Sequence, residues 1–169
     1  LLKCAIAVLI AFVLLLIYVG FRFRKIGGVT AGLMSIVALL HDVLLVYFAF
    51  VAFQMPINDS FMAVVLTILG YSLNNTIIIY DRIRENRRLM GPKTSYADLV
   101  DTSINQTLTR SIYTSLTTFV AIAAVFVVGS IYGLTSVTTF ALPMMVGIVA
   151  GCYSSVCIAG PLYVAWEER

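Results

Sequence analysis

A carboxylate sits where hydrocarbon is expected. Asp42, directly after His41, lies near the middle of the apolar stretch Val29–Phe53. An acid at the centre of a bilayer costs about 2.5–3.5 kcal/mol on insertion scales, so such residues face a bundle interior or a wet cavity. Two roles fit the residue type. A protonated Asp42 would hydrogen-bond a neighbouring helix, or the carboxyl would hold a proton or an ion in transit. His41 fits a relay partner, a capping donor or an interfacial side chain. A second polar centre interrupts Ser60–Tyr80, where Asn74 and Asn75 stand together between Ser72 and Thr76. Amides in lipid need partners, because an unpaired one costs several kcal/mol. Neither titrates, so their plain role is to bond between helices, worth about 0.6–2 kcal/mol. A third polar residue, Arg110, stands just before the apolar run Ile112–Ile131. It either snorkels to the interface or is buried against an acid or a carbonyl. Asn75 precedes the end of its stretch by about 7–8 Å at helical rise, so Asn75 and Arg110 fall at one level. Asp42 lies deeper by about 10 Å. The expected seam therefore joins His41, Asp42, Asn74, Asn75, Thr76 and Arg110.

These groups need membrane helices to hold them. Of the 169 residues, 61% are apolar and 11% charged, and the mean hydropathy is +1.01. Soluble domains are apolar for only about half their residues. Five stretches approach the about 20 residues a span requires: about Leu1–Phe21, Val29–Phe53, Ser60–Tyr80, Ile112–Ile131 and Val137–Trp166. The first is not a secretory signal by pattern, since Phe21-Arg22-Phe23-Arg24-Lys25 ends it like a stop-transfer boundary. The chain does not open on Met, and we expect an upstream span and an extracytoplasmic domain before Leu1. Ten of the 11 Lys and Arg residues fall on one side of this arrangement, in 22–25, 82–110 and at Arg169, leaving Lys3 alone on the other. Cations gather in cytoplasmic loops. The predicted orientation places the N-terminus outside and the C-terminus inside. The net charge of +3 follows from that asymmetry and gives no reason to invoke nucleic acid.

The one long connection, 81–110, is expected to be a cytoplasmic helical loop. Asp81, Arg84, Glu85 and Arg88 pair at helical spacing, so the third span should run on into water and stop before Gly91-Pro92. A second helix, capped by Thr94 or Ser95 with Ser95-x-x-Asp98 as a capping box, carries an apolar stripe of Tyr96, Leu99, Val100, Ile104 and Leu108. It is expected to lie on the membrane surface or under the bundle. In the last span Gly147, Gly151, Ser155 and Ala159 recur every four residues, a spacing that lets backbones approach closely in lipid. Pro143 is placed to kink that span. Hydroxyls at Ser111, Thr114, Ser115, Thr117 and Thr118 give span four a face that should avoid lipid. Cys4, Cys152 and Cys157 have no ligand spacing, and we expect no metal. No nucleophile–base set or phosphate loop is present, so we expect neither enzymatic activity nor a cofactor.

The wording of these segments is similar to a known family. GYSLNNTIIIYDRIREN over Gly70–Asn86 resembles the fourth-span signature of SecF, the accessory subunit of the bacterial Sec translocon. Leu40-His41-Asp42-Val43 resembles the family's HDV motif. Ser103–Arg110 followed by Thr114–Thr118 resembles the entry to its fifth span, and Gly151–Ser155 with Ala159-Gly160-Pro161 its closing helix. The resemblance implies an all-α, five-helix bundle that forms half of an RND-type SecDF membrane domain. It implies pairing with SecD, separate or fused, and assistance to preprotein export through SecYEG in the cytoplasmic membrane, driven by protons or sodium. It also implies that the extension bearing Asp81, Arg82, Arg84 and Glu85 meets the translocon. One position departs. The family pattern has Asp where this chain has Asn75, and there that Asp and the arginine matching Arg110 belong to the proton pathway, opposite an acid of SecD. Coupling then rests on the SecD acid with help from Asp42, or the chain is a divergent paralogue with little coupling. A structural scaffold and a fragment of an RND-type small-molecule exporter are the competing readings.

Overall fold

The computed structural model describes residues 2–22, 28–91 and 93–168. They form α1 (Leu2–Arg22), α2 (Gly28–Ala52), α3 (Asp59–Met90), α4 (Tyr96–Ile131), α5 (Thr135–Ser154) and α6 (Gly160–Glu167). A π-helical turn, Ser155–Ala159, joins α5 to α6, so the three make one continuous rod. Four of the rods contain stretches long and apolar enough to cross a membrane: Val29–Ala52, Asp59–Met90, Tyr96–Ile131 and Thr135–Glu167. In α1 the described apolar stretch is shorter, Val8–Arg22. Arg24, Lys25, Pro92 and Arg169 lie outside the described residues, as do the side chains of Lys3 and Cys4.

Local chemistry sets the helix ends. The Asn58 side chain accepts from the Ser60 amide at 3.0 Å and opens α3. Ser95 accepts from the Asp98 amide at 3.1 Å and opens α4. α3 stops at Gly91, whose φ of +82° suits a residue without Cβ. Gly133, with φ +67°, reverses the chain between α4 and α5.

Residues 96–110 do not form a separate surface helix. They are the first four turns of α4, which runs unbroken for 36 residues. No glycine or proline occurs from Tyr96 to Val128, and a change from polar to apolar composition does not by itself end a helix. Likewise 81–90 is the last part of α3. The connection 81–110 is thus two helix extensions joined by a short turn. Their apolar stripe does pack inward, since Leu99 and Val100 are buried.

α3 and α4 run antiparallel. Tyr71 pairs with Ser115, Arg82 with Gln106, and Asn86 with Ser103. The core lies between α2, α3 and α5, around Leu39, Val46, Phe50, Ile68, Leu69 and Ile148. Small residues make room there. A Cβ on Gly147 would stand 2.5 Å from Cγ1 of Ile68 and 3.0 Å from Cγ2 of Val46. One on Gly151 would stand 3.1 Å from Cβ of Ser72. The outer faces carry exposed apolar side chains such as Leu44, Phe48, Leu116 and Val120, as helices facing acyl chains should.

Candidate functional site

The close approach of α5 to α3 at Gly151 brings three helices together around Asp42. Its carboxyl is fully buried. Ser72 of α3 donates to Oδ2 at 2.5 Å, and Ser154 at the end of α5 donates to the same oxygen at 2.8 Å. Nδ1 of His41 lies 3.1 Å from Oδ1. The His41 ring is a third exposed and borders an apolar cleft of about 570 Å³ with Phe119, Val149 and Tyr153. Among the described residues no Lys or Arg pairs with Asp42. A carboxyl so placed has hydroxyl donors and one ring nitrogen around it, and no fixed countercharge. That donor set suits a site that takes up and releases a proton or a small cation.

The hydroxyl network continues one turn along. Thr76 donates to the Ser72 carbonyl at 3.1 Å and to Oγ of Ser155 at 3.2 Å. Ser155 returns to the Gly151 carbonyl at 2.6 Å. Both Ser154 and Ser155 are fully buried at the entry to the π turn. π turns recur at functional sites because they re-aim neighbouring side chains. Here Ser154 meets α2 and Ser155 meets α3.

The other expected seam residues separate. Asn75 is fully buried, and neither Nδ2 nor Oδ1 has a hydrogen-bond partner within the chain. Asn74 is exposed on the outer face of α3, because successive helical residues point about 100° apart. It does not join the Asp42 group. Arg110 is exposed too. It borders a polar basin of about 770 Å³ with Ile78, Asp81, Arg82, Arg84, Glu85 and Arg88. Arg110 shares no described contact with Asn75 or Asp42. Within the basin Arg82 pairs with Glu85 at 2.6 Å and bonds Gln106 at 2.6 Å. Asp81 takes Arg22 of α1 at 3.1 Å. Arg84 stands 3.1 Å from its other oxygen, near enough to pair electrostatically but not aligned to hydrogen-bond.

Sequence reasoning had noted Ser72 only as a flank of the amides, and it passed over Ser154. The small-residue stripe drew attention to Ser155 instead. The usable signal was the Ser154-Ser155 pair itself, two adjacent hydroxyls in an apolar span. Among the described residues no cluster of His, Cys, Asp and Glu could hold a metal.

Comparison with known proteins places this geometry. The family of protein export membrane protein SecD/SecF, C-terminal, matches residues 2–169. The chain is 46% identical over 150 residues to protein translocase subunit SecF of Sebaldella termitidis, covering 89% of this chain and 46% of that one. It is 42% identical over 167 residues to protein translocase subunit SecDF of Thermus thermophilus, covering 99% and 22%. A crystal structure of that organism's SecDF, described as a translocon-associated membrane protein, superposes with TM-score 0.88 at 42% identity over 98% of this chain and 22% of that one. A super-membrane-facing form of SecDF superposes with TM-score 0.86 over 98% and 21%. The chain therefore spans less than half the length of these relatives.

Proposed function

The chain belongs to the SecD/SecF C-terminal family, and from that premise we propose that it is the membrane part of a protein-export subunit driven by an ion gradient. In this reading it pairs with SecD, separate or fused, and assists preproteins leaving SecYEG. It sits in the bacterial cytoplasmic membrane with Leu1 outside and Arg169 inside. The coupling ion, H⁺ or Na⁺, is held at Asp42. The extensions bearing Asp81, Arg82, Arg84 and Glu85 face the translocon.

One observation carries the coupling step. The Asp42 carboxyl is held by hydroxyls from two other helices and by no fixed cation. Such a group changes its hydrogen-bonding need when its charge changes. A charged carboxylate accepts from both serines, whereas a neutral carboxyl must itself donate, so one Ser–Asp bond has to turn or break. Loading and unloading would thereby shift α3 and α5 relative to α2. His41, part-exposed beside Oδ1, is the route by which the ion would reach the site. Arg110 acts separately, at the polar basin.

The test is export into membrane vesicles under an imposed gradient with the full-length protein. Asp42→Asn keeps the size and removes the charge, and we expect it to abolish the gradient-dependent increment while leaving ATP-driven export. Full stimulation by Asp42→Asn would end the coupling reading.

Asn75 favours a second reading, a structural scaffold that conducts no ion. The family's acid is replaced there by an amide that finds no partner. Asn75→Asp separates the two: a gain of gradient-dependent export would mean that coupling is weak in the natural chain.

A further inference from the structure

We propose that the basin between the polar extensions of α3 and α4 binds the phosphate of an anionic phospholipid headgroup. The basin measures about 770 Å³ and is bordered by Arg82, Arg84, Arg88 and Arg110 against two acids, Asp81 and Glu85. Both acids are committed. Glu85 pairs with Arg82 at 2.6 Å. Asp81 is shared between Arg84 and Arg22, each at 3.1 Å. Arg88 and Arg110 have no acid in pairing range among the described residues. Two free guanidiniums facing one cavity match the oxygens of a phosphate, which arginine binds in a planar, two-pronged fashion.

A phosphate reaches such a basin on a lipid or as a free ion. Position favours the lipid. The basin straddles the level where α3 and α4 change from apolar to charged, and Ile78 forms part of its wall. Beyond Arg110, α4 continues with Ile112, Tyr113 and Leu116 exposed at 48%, 64% and 53%. Acyl chains hanging from a phosphate held at Arg110 would lie on this surface, which a free ion would leave unused. Basic pockets between helices at this depth hold acidic headgroups in other membrane proteins. The inference does not rest on the coupling role of Asp42.

The test uses the full-length protein in neutral detergent. Retention of dioleoylphosphatidylglycerol and dioleoylphosphatidylcholine is read by native mass spectrometry at several salt concentrations. We expect phosphatidylglycerol to be preferred, and Arg88→Gln to weaken its retention about fivefold, the effect of one cation near a lipid surface. Lys93→Gln, outside the basin, should change nothing, and Arg88→Lys should keep most of the preference even if Arg88→Gln folds poorly. Equal retention of the two lipids, or an unchanged preference in both Arg88 variants, overturns the proposal. If sodium phosphate displaces phosphatidylglycerol at equal concentration, the occupant is a soluble anion and the lipid assignment falls. It falls as well if the preference vanishes once a partner protein covers the basin.

Discussion

Ser154 donates its hydroxyl to Oδ2 of Asp42 at 2.8 Å across 112 positions of chain. The same oxygen takes the Ser72 hydroxyl, so one atom of α2 ties α3 and α5 together. Hydroxyls are small and flexible enough to follow a carboxyl through a change of charge, whereas a guanidinium would fix it in one state.

Two donors on one oxygen should not act independently. Ser72→Ala and Ser154→Ala are each expected to destabilise the bundle by about 0.6–2 kcal/mol, the range for hydrogen bonds between membrane helices. The double variant should fall short of the sum, because the remaining donor can tighten on Oδ2 when the other is gone. Thermal unfolding of the two singles and the double measures the coupling. Strict additivity would mean that the serines do not share the oxygen.

Packing at the stripe is tested through its partner. A Cβ at position 147 lies 2.5 Å from Cγ1 of Ile68 and 2.6 Å from its Cδ1. Overpacking costs about 1–3 kcal/mol, so Gly147→Ala should lower the unfolding midpoint, and adding Ile68→Ala should recover part of the loss. Gly151→Ala has a different expected signature. Its nearest neighbour is Ser72, so it should reduce gradient-dependent export more than its effect on stability would suggest.

Helix capping gives a local prediction. Ser95 accepts from the Asp98 amide and donates to Asp98 Oδ2 at 2.8 Å. Ser95→Ala should cost about 0.5–2 kcal/mol and speed amide exchange in the first turn of α4, with the distant half of that helix unaffected. Exchange unchanged at residues 97–99 would show that the cap is dispensable.

Much of this fold was legible because apolar runs and breakers agree. The stretch Val29–Phe53 becomes α2 almost residue for residue, and α3 stops at the glycine that punctuates the charge run. Span four was misjudged at its start because a polarity change was taken for a boundary where the chain has no breaker. The π turn left no mark, since Ser155–Ala159 contains neither glycine nor proline. Depth arithmetic put Asn75 and Arg110 at one level but could not give their azimuth. One faces the packed interior and the other the polar basin. The Asp42 carboxyl was identified by its burial cost alone, whereas its serine partners required the three-helix crossing to be known.

Orientation can be read by chemistry from outside the cell. Gln54, in the turn after α2, and Lys93, in the turn before α4, are both exposed, at opposite ends of α3. Cysteines placed there in a background without other thiols should respond oppositely to a membrane-impermeant maleimide. We expect labelling of intact cells at position 54 and, at 93, only after the membrane is opened. The reverse pattern would turn the molecule over and place the cation-rich ends outside.

The last prediction concerns the amide without a partner. Asn75 is fully buried, both polar atoms of its side chain lack a hydrogen bond, and so does the buried Oγ of Ser111 on α4. The facing pairs Tyr71–Ser115 and Arg82–Gln106 bracket these two residues on antiparallel helices, so they occupy neighbouring levels. A buried polar group left unmade costs about 1–3 kcal/mol, and replacing it with an apolar group of similar shape removes that cost. Asn75→Leu should therefore leave the unfolding midpoint unchanged or raise it. Export then tells what the amide is for. If Asn75→Leu is as stable as the natural chain and fully active, position 75 is a remnant with no task. If it is stable but loses gradient-dependent export, the amide is needed in a conformation other than this one, where α3 and α4 part enough to satisfy it. A marked loss of stability would contradict the geometry, because it would require Asn75 to be hydrogen-bonded in the folded bundle.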